Sequence, residues 1–137
     1  MRNVLLDTGP LVAMLDRSER NHDRCVAFLE GLSGRLLTTE AVLTEAIYLL
    51  RDTPGGPAAC LRLILDGGAT LVPISVANLA RCMKLMEKYS DVPMDFADAG
   101  LVALAEEVGT NEVFTLDRRG FVTYRLGRKR TFVVWPE

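Results

Sequence analysis

Histidine and cysteine are scarce in this chain. The one histidine, His22, stands in a polar stretch, where it reads as a surface residue, and Cys25, Cys60 and Cys82 lie far apart. No pair of them has zinc-ligand spacing and no second histidine is present, which argues against a zinc site. Three is an odd number for a disulfide framework. Each cysteine falls in an apolar helical context, so the expectation is buried free thiols in a reducing cytoplasm. No apolar run approaches the roughly 20 residues that span a bilayer, and no membrane partner is expected. The start has no basic stretch leading into an apolar one, so no signal peptide is expected either. Neither sign of charge is in large excess. The net charge of −2 excludes a uniformly basic nucleic-acid coat and leaves room for a local basic patch. A phosphate loop is missing as well: Pro54-Gly55-Gly56-Pro57 lacks the lysine and the serine or threonine such a loop needs, and reads as a connector.

What is present is an ordinary soluble balance, 49% apolar and 25% charged residues. The 137 residues make about one domain. A domain of this size buries roughly two thirds of its unfolded surface, so it folds without staples. Strand-like runs alternate with helical ones. Asn3 to Asp7 reads as a strand, and Gly9-Pro10 then turns the chain into a short helix from Leu11 to Leu15. A second helix ends near Gly31. Arg35 to Thr38 is a strand, and Thr38 or Thr39 caps a helix from Glu40 to about Arg51. Further helices are expected over Ala58–Leu65, Val76 to about Tyr89, and about Asp95 to Val108, where Gly109 closes the last. Strands are expected over Ala69–Pro73, Val113–Leu116 and Thr131–Trp135, with a short loop or helix over Arg118–Val122. The alternation predicts a three-layer α/β/α sandwich around a mainly parallel central sheet of four to five strands. Without repeats, low-complexity segments or linkers, residues 1–137 read as one domain.

Two of the strand-like runs end in an acid: Val4-Leu5-Leu6-Asp7 and Val113-Phe114-Thr115-Leu116-Asp117. Continuous apolar runs of this length suit strands buried on both faces of a parallel sheet. Ligands bind beyond the carboxyl ends of such strands. A buried carboxylate needs a partner or a metal, so the pair suggests a site for a hard cation. Asp98 adds to it, because it lies on the apolar stripe of its helix with Leu101, Val102 and Ala105. Asp95, three residues earlier, reads as the helix cap. Glu45 borders an apolar arc made by Val42, Leu43, Ala46, Ile47 and Leu50. Singly, each acid has an ordinary reading as a turn, cap or flank; together they are hard to explain that way.

In their order and approximate spacing these segments resemble the PIN-domain ribonucleases over nearly the whole chain. Val4-Leu5-Leu6-Asp7-Thr8-Gly9-Pro10-Leu11-Val12-Ala13 resembles the opening motif of that family. Thr44-Glu45 resembles its second acidic position, Asp95-Phe96-Ala97-Asp98-Ala99 its third, with Asp98 as the match, and Phe114-Thr115-Leu116-Asp117-Arg118-Arg119-Gly120-Phe121 its fourth. The length is similar to the VapC-type toxins of toxin–antitoxin pairs. The resemblance implies a metal-dependent endoribonuclease with Asp7, Glu45, Asp98 and Asp117 as catalytic acids. Asp7 and Asp98 are assigned to direct ligation of Mg²⁺ or Mn²⁺, while Glu45 and Asp117 complete the shell or position water. Thr8 and Thr115 would support a ligand carboxylate or a phosphate, and Asp95 is an extra acid whose role stays open. Also implied are an RNA substrate, a homodimer, and a cognate antitoxin, for which helices between Asp23 and Leu65 could supply a groove. Arg118 and Arg119 are candidate RNA-binding residues, and Arg125, Arg128, Lys129 and Arg130 could extend that basic cluster. Phe121, Tyr124, Phe132 and Trp135 interleave with it and suit either base stacking or a core face. Two alternatives stand beside this reading. One is a PIN nuclease outside toxin systems. The other is a non-catalytic metal- or phosphate-binding module of the receiver kind, although Asp7 has no acidic neighbour and the last acidic strand is followed by arginine rather than lysine.

Overall fold

Asp7 ends the first strand and begins the first helix. In the computed structural model, which describes residues 1–137, β1 (Asn3–Leu6) runs through Asp7, whose carboxylate accepts from Thr8 N, into α1 (Thr8–Leu15). Gly9 and Pro10 therefore belong to the first helical turn and do not form the separate turn expected from sequence. Proline costs nothing at that position, because the first N–H groups of a helix have no intrahelical acceptor. Next come α2 (His22–Gly31), β2 (Arg35–Thr38) and α3 (Glu40–Leu49), the last capped by the Thr39 hydroxyl. The helix after the Pro54–Pro57 break, α4 (Gly56–Leu65), starts inside that break and two residues earlier than expected. Gly55 precedes it with φ of 71°, a left-handed conformation that favours glycine. Then follow β3 (Thr70–Leu71), α5 (Val76–Lys88) capped by Ser75, α6 (Phe96–Val108) closed by Gly109, and β4 (Glu112–Phe114). The ambiguous stretch after Asp117 is helical, α7 (Arg118–Thr123). The expected final strand is divided. A small hairpin of β5 (Arg125–Leu126) and β6 (Arg130–Thr131) precedes β7 (Val133–Trp135).

The five-stranded sheet has the order β3-β2-β1-β4-β7, and every pairing in it is parallel. The helices α1 to α4 pack among themselves, and α5 packs on α6. This is the three-layer α/β/α arrangement the alternation predicts. β1 is the central strand, and Val4, Leu5 and Leu6 are wholly buried. Val113 and Phe114 of β4 are equally buried, and Phe28 of α2 stands 4.5 Å from Phe114, ring centre to ring centre. Burial of such a side chain contributes about 1.5–3 kcal/mol, so the central pair β1–β4 is strongly stabilised by its core contacts. The three cysteines are free and buried in the same core. No helix is long and apolar enough to cross a membrane.

Candidate active site

The chain winds from β1 through β2 to β3 on one side and through β4 to β7 on the other. The reversal between β1 and β4 opens a crevice beyond their carboxyl ends, the place where open α/β sheets bind ligands. Asp7 stands there, only 7% exposed. Its N–H donates to the Phe114 carbonyl at 3.0 Å, which ties it to β4. Its Oδ2 accepts from the Thr115 hydroxyl at 2.7 Å and its Oδ1 from Thr8 N at 2.8 Å. The Thr115 hydroxyl in turn accepts from Asp117 N at 2.9 Å. One buried threonine thus links the ends of both acidic strands. The Thr8 hydroxyl donates to Glu45 Oε1 at 3.4 Å and links α3 to the same point.

Asp98 reaches the crevice from the first turn of α6. Asp95 is the cap expected from sequence: it accepts from Asp98 N at 2.8 Å, while Asp98 Oδ2 accepts from Asp95 N at 3.2 Å. The Tyr124 hydroxyl also donates to Asp98 Oδ2, at 3.3 Å. Asp117 caps α7 by accepting from Gly120 N at 3.1 Å.

These acids burden one another. Burial pushes the Asp98 carboxyl up to about 8, with the charges of Asp95 and Asp7 adding to the rise. Burial also raises Asp7; the hydrogen bonds from Thr115 and Thr8 oppose this, and the charges of Asp117 and Asp95 reinforce it. Glu45 rises through burial and then through the charges of Asp95 and Asp7. The ion pairs of the molecule join Arg2 to Glu112, Arg51 to Asp52 and Arg81 to Glu106, so none neutralises the crevice. An uncompensated buried carboxylate is costly. The structure therefore brings Asp7, Glu45, Asp98 and Asp117 within electrostatic reach, with Asp95 beside them. It does not close them into a cage, because no three acids are drawn tightly enough to enclose an ion by themselves. The donor set is all oxygen and loosely gathered, which suits a hard cation that keeps several waters and uses a few carboxylates.

A cleft of about 510 Å³ opens beside the acids, between the starts of α3 and α6. Glu45 and Asp95 stand in its wall with Thr39, and Ala41, Ala97 and Gly100 add apolar surface. Arg118 and Arg119 are exposed at the start of α7. A residue the sequence gave no reason to group with them, Arg24 of α2, donates to the Pro136 carbonyl at 3.3 Å, as Arg118 also does. The rest of the expected basic cluster lies elsewhere. Arg125 donates to the carbonyls of Val122, Thr123 and Tyr124 and so closes α7. Arg130 donates to Asn111 Oδ1, and Gly127 N donates to Glu106 Oε2, at the far end of α6. Eight residues of helix separate Glu106 from Asp98, roughly 12 Å at 1.5 Å per residue. The aromatics are core rather than stacking platforms: Phe121 and Tyr124 are fully buried, and Trp135 lies against Phe28. His22 is half-buried, and its Nδ1 lies 2.7 Å from the Ala13 carbonyl.

A parallel α/β sheet with acids converging at its switch point defines a class of small domain built around a carboxylate crevice. Residues 4–126 match the PIN domain family, and the chain belongs to that family. It is 30% identical over 135 residues to the ribonuclease VapC26 of Mycobacterium tuberculosis, across 97% of this chain and 100% of that protein. Among solved structures it is similar to Mycobacterium tuberculosis VapC20, a Sarcin-Ricin loop cleaving toxin. The TM-score is 0.80 at 14% identity, over 88% of this chain and 95% of that one. VapBC2 of Rickettsia felis, bound to a DNA fragment from its promoter, aligns with a TM-score of 0.68 at 11% identity, over 98% and 100% of the two chains. At these identities the structural likeness is one of fold.

Proposed function

We propose that this protein is a metal-dependent endoribonuclease that hydrolyses RNA phosphodiester bonds and serves as the toxin of a toxin–antitoxin pair. The observation that carries this reading is the group of acids at the switch point, centred on the buried Asp7 and the half-buried Asp98 and without a cationic partner. Membership of the PIN family and the 30% identity to the ribonuclease VapC26 support it. Asp7 and Asp98 hold Mg²⁺ or Mn²⁺ directly. When bound, such an ion supplies a polarised water and counter-charge for phosphate oxygens. Asp7 is fitted to a fixed role, since Thr8 and Thr115 lock both of its oxygens. Glu45 and Asp117 are more exposed and orient water at the rim. Arg118 and Arg119 bind phosphates of the substrate backbone.

Two exposed apolar surfaces support the reading of the protein partners. Tyr48, Leu49, Leu61 and Leu65 of α3 and α4 are exposed and form the apolar surface that receives a helix of the antitoxin. Val76, Leu79 and Met83 of α5, near Phe96, are exposed on another face and serve the homodimer. The setting is cytoplasmic, where free thiols persist.

The test is cleavage of RNA in Mg²⁺ or Mn²⁺ by the purified chain. Asp7→Asn and Asp98→Asn are expected to reduce it to background while circular dichroism shows the fold intact. Excess EDTA is expected to do the same to the unsubstituted chain. Cleavage that persists in EDTA would rule the mechanism out.

A further inference from the structure

Tyr124 is fully buried, yet it carries a hydroxyl that packing alone does not require. Its ring sits edge-on to Tyr89 and to Phe121, each centroid 5.1 Å away, and phenylalanine would make the same contacts. A buried tyrosine hydroxyl needs a partner, and the one it has is Asp98 Oδ2 at 3.3 Å. That oxygen also accepts from Asp95 N, whereas Oδ1 of Asp98 accepts no hydrogen bond. The route to Asp98 passes Gly120. A Cβ there would stand 3.0 Å from the Tyr124 hydroxyl oxygen and 2.6 Å from Asp117 Oδ2. Gly120 does not have a positive φ, so its backbone would accept alanine; the space is what the glycine supplies.

We propose that Tyr124 is a positioning residue for Asp98: with the Asp95 N–H it occupies Oδ2, holds the carboxylate in one orientation, and leaves Oδ1 as the oxygen presented to a divalent cation. Gly120 is the gap that lets the phenol reach across from α7 to α6. The proposal rests on the metal-dependent reading above. Groups that orient a metal-ligating carboxylate affect affinity by about 10–100-fold when removed.

The experiment titrates Mn²⁺ into the RNA-free protein and follows the free ion by electron paramagnetic resonance. Tyr124→Phe is expected to weaken Mn²⁺ binding by about tenfold or more. It is also expected to lower kcat on RNA while leaving KM unchanged. Tyr89→Phe, which removes a neighbouring hydroxyl that accepts from Arg125 N and touches no acid, is expected to leave Mn²⁺ binding within about twofold, a change worth only about 0.4 kcal/mol. Should Tyr124→Phe fail to fold, Tyr124→Met decides the matter, because it keeps apolar bulk in the core and removes the hydroxyl without approaching Asp117. It is expected to weaken Mn²⁺ binding in the same way. Mn²⁺ binding by a folded Tyr124→Phe variant equal to that of the unsubstituted chain would overturn the proposal alone. No Mn²⁺ binding by the unsubstituted chain would overturn the metal-dependent reading and this proposal with it.

Discussion

At the scale of single residues, Asp98 carries two demands at once. As the third residue of α6 it completes a reciprocal cap with Asp95, and as a half-buried acid facing Asp7 it lacks any cation. The helical wheel anticipates this, because Asp98 falls on the apolar stripe. The wheel does not show Tyr124, which comes from 26 residues away. The raised carboxyl has a definite consequence for stability. Its folded value of about 8 lies above the unfolded value of about 3.9. Between those values the folded state binds more protons than the unfolded one, so stability falls as pH rises. Thermal melts of the metal-free chain are therefore expected to give a higher Tm near pH 5 than near pH 8. Asp98→Asn is expected to raise Tm near pH 8 and to flatten that dependence. A metal-free Tm that climbs steadily from pH 5 to pH 8 would contradict the electrostatic account of the crevice.

At the scale of elements, α7 separates two basic segments with only five residues between them in sequence. Arg118 and Arg119 begin the helix beside Asp117, while Arg125 closes it and the β5–β6 hairpin carries Arg128, Lys129 and Arg130 away to Glu106 and Asn111. Charge density along the sequence cannot show this, because one turn-and-a-half of helix is enough to send the chain to the other end of α6. Binding of RNA by a catalytically silent Asp7→Asn form tests the division. Replacing Arg118 and Arg119 by alanine is expected to weaken binding and to reduce the slope of log K against log salt by about 0.7 for each lost single-strand phosphate contact. Replacing Arg128 and Lys129 is expected to leave that slope unchanged. Equal losses from both pairs would place the hairpin on the RNA path. The same local physics explains the misplaced turn at Gly9-Pro10, where composition suggested a break and the cap at Asp7 made the first turn of a helix.

For the whole molecule, the sheet order decides what is near what. Placing β1 at the centre with β4 beside it brings Asp7 and Asp117 together across 110 residues of chain, and the Thr115 hydroxyl joins them. The same winding leaves apolar side chains of α3 and α4 outside the core, with Leu65 83% exposed. Leu61→Asp with Leu65→Asp is therefore expected to change folding stability by about 1 kcal/mol, two exposed substitutions at roughly 0.5 each. The double variant is expected to cleave RNA normally and to lose co-purification with the cognate antitoxin. Retained co-purification would move the partner to another face.

Taken alone, the sequence determined the alternation of strands and helices, the two strands buried on both faces, the acids at strand ends and the cap at Asp95. Each of these depends on neighbours within a few residues: side-chain periodicity, turn chemistry and the polarity of a helix start. It also carried the family resemblance, through motifs short enough to read in line. Tertiary structure alone decided how tightly the acids gather, that the basic hairpin stands away from them, and that Tyr124 reaches Asp98 across Gly120. Those outcomes depend on which strand lies beside which and on where an absent side chain leaves room, and neither is a property of any local stretch of residues.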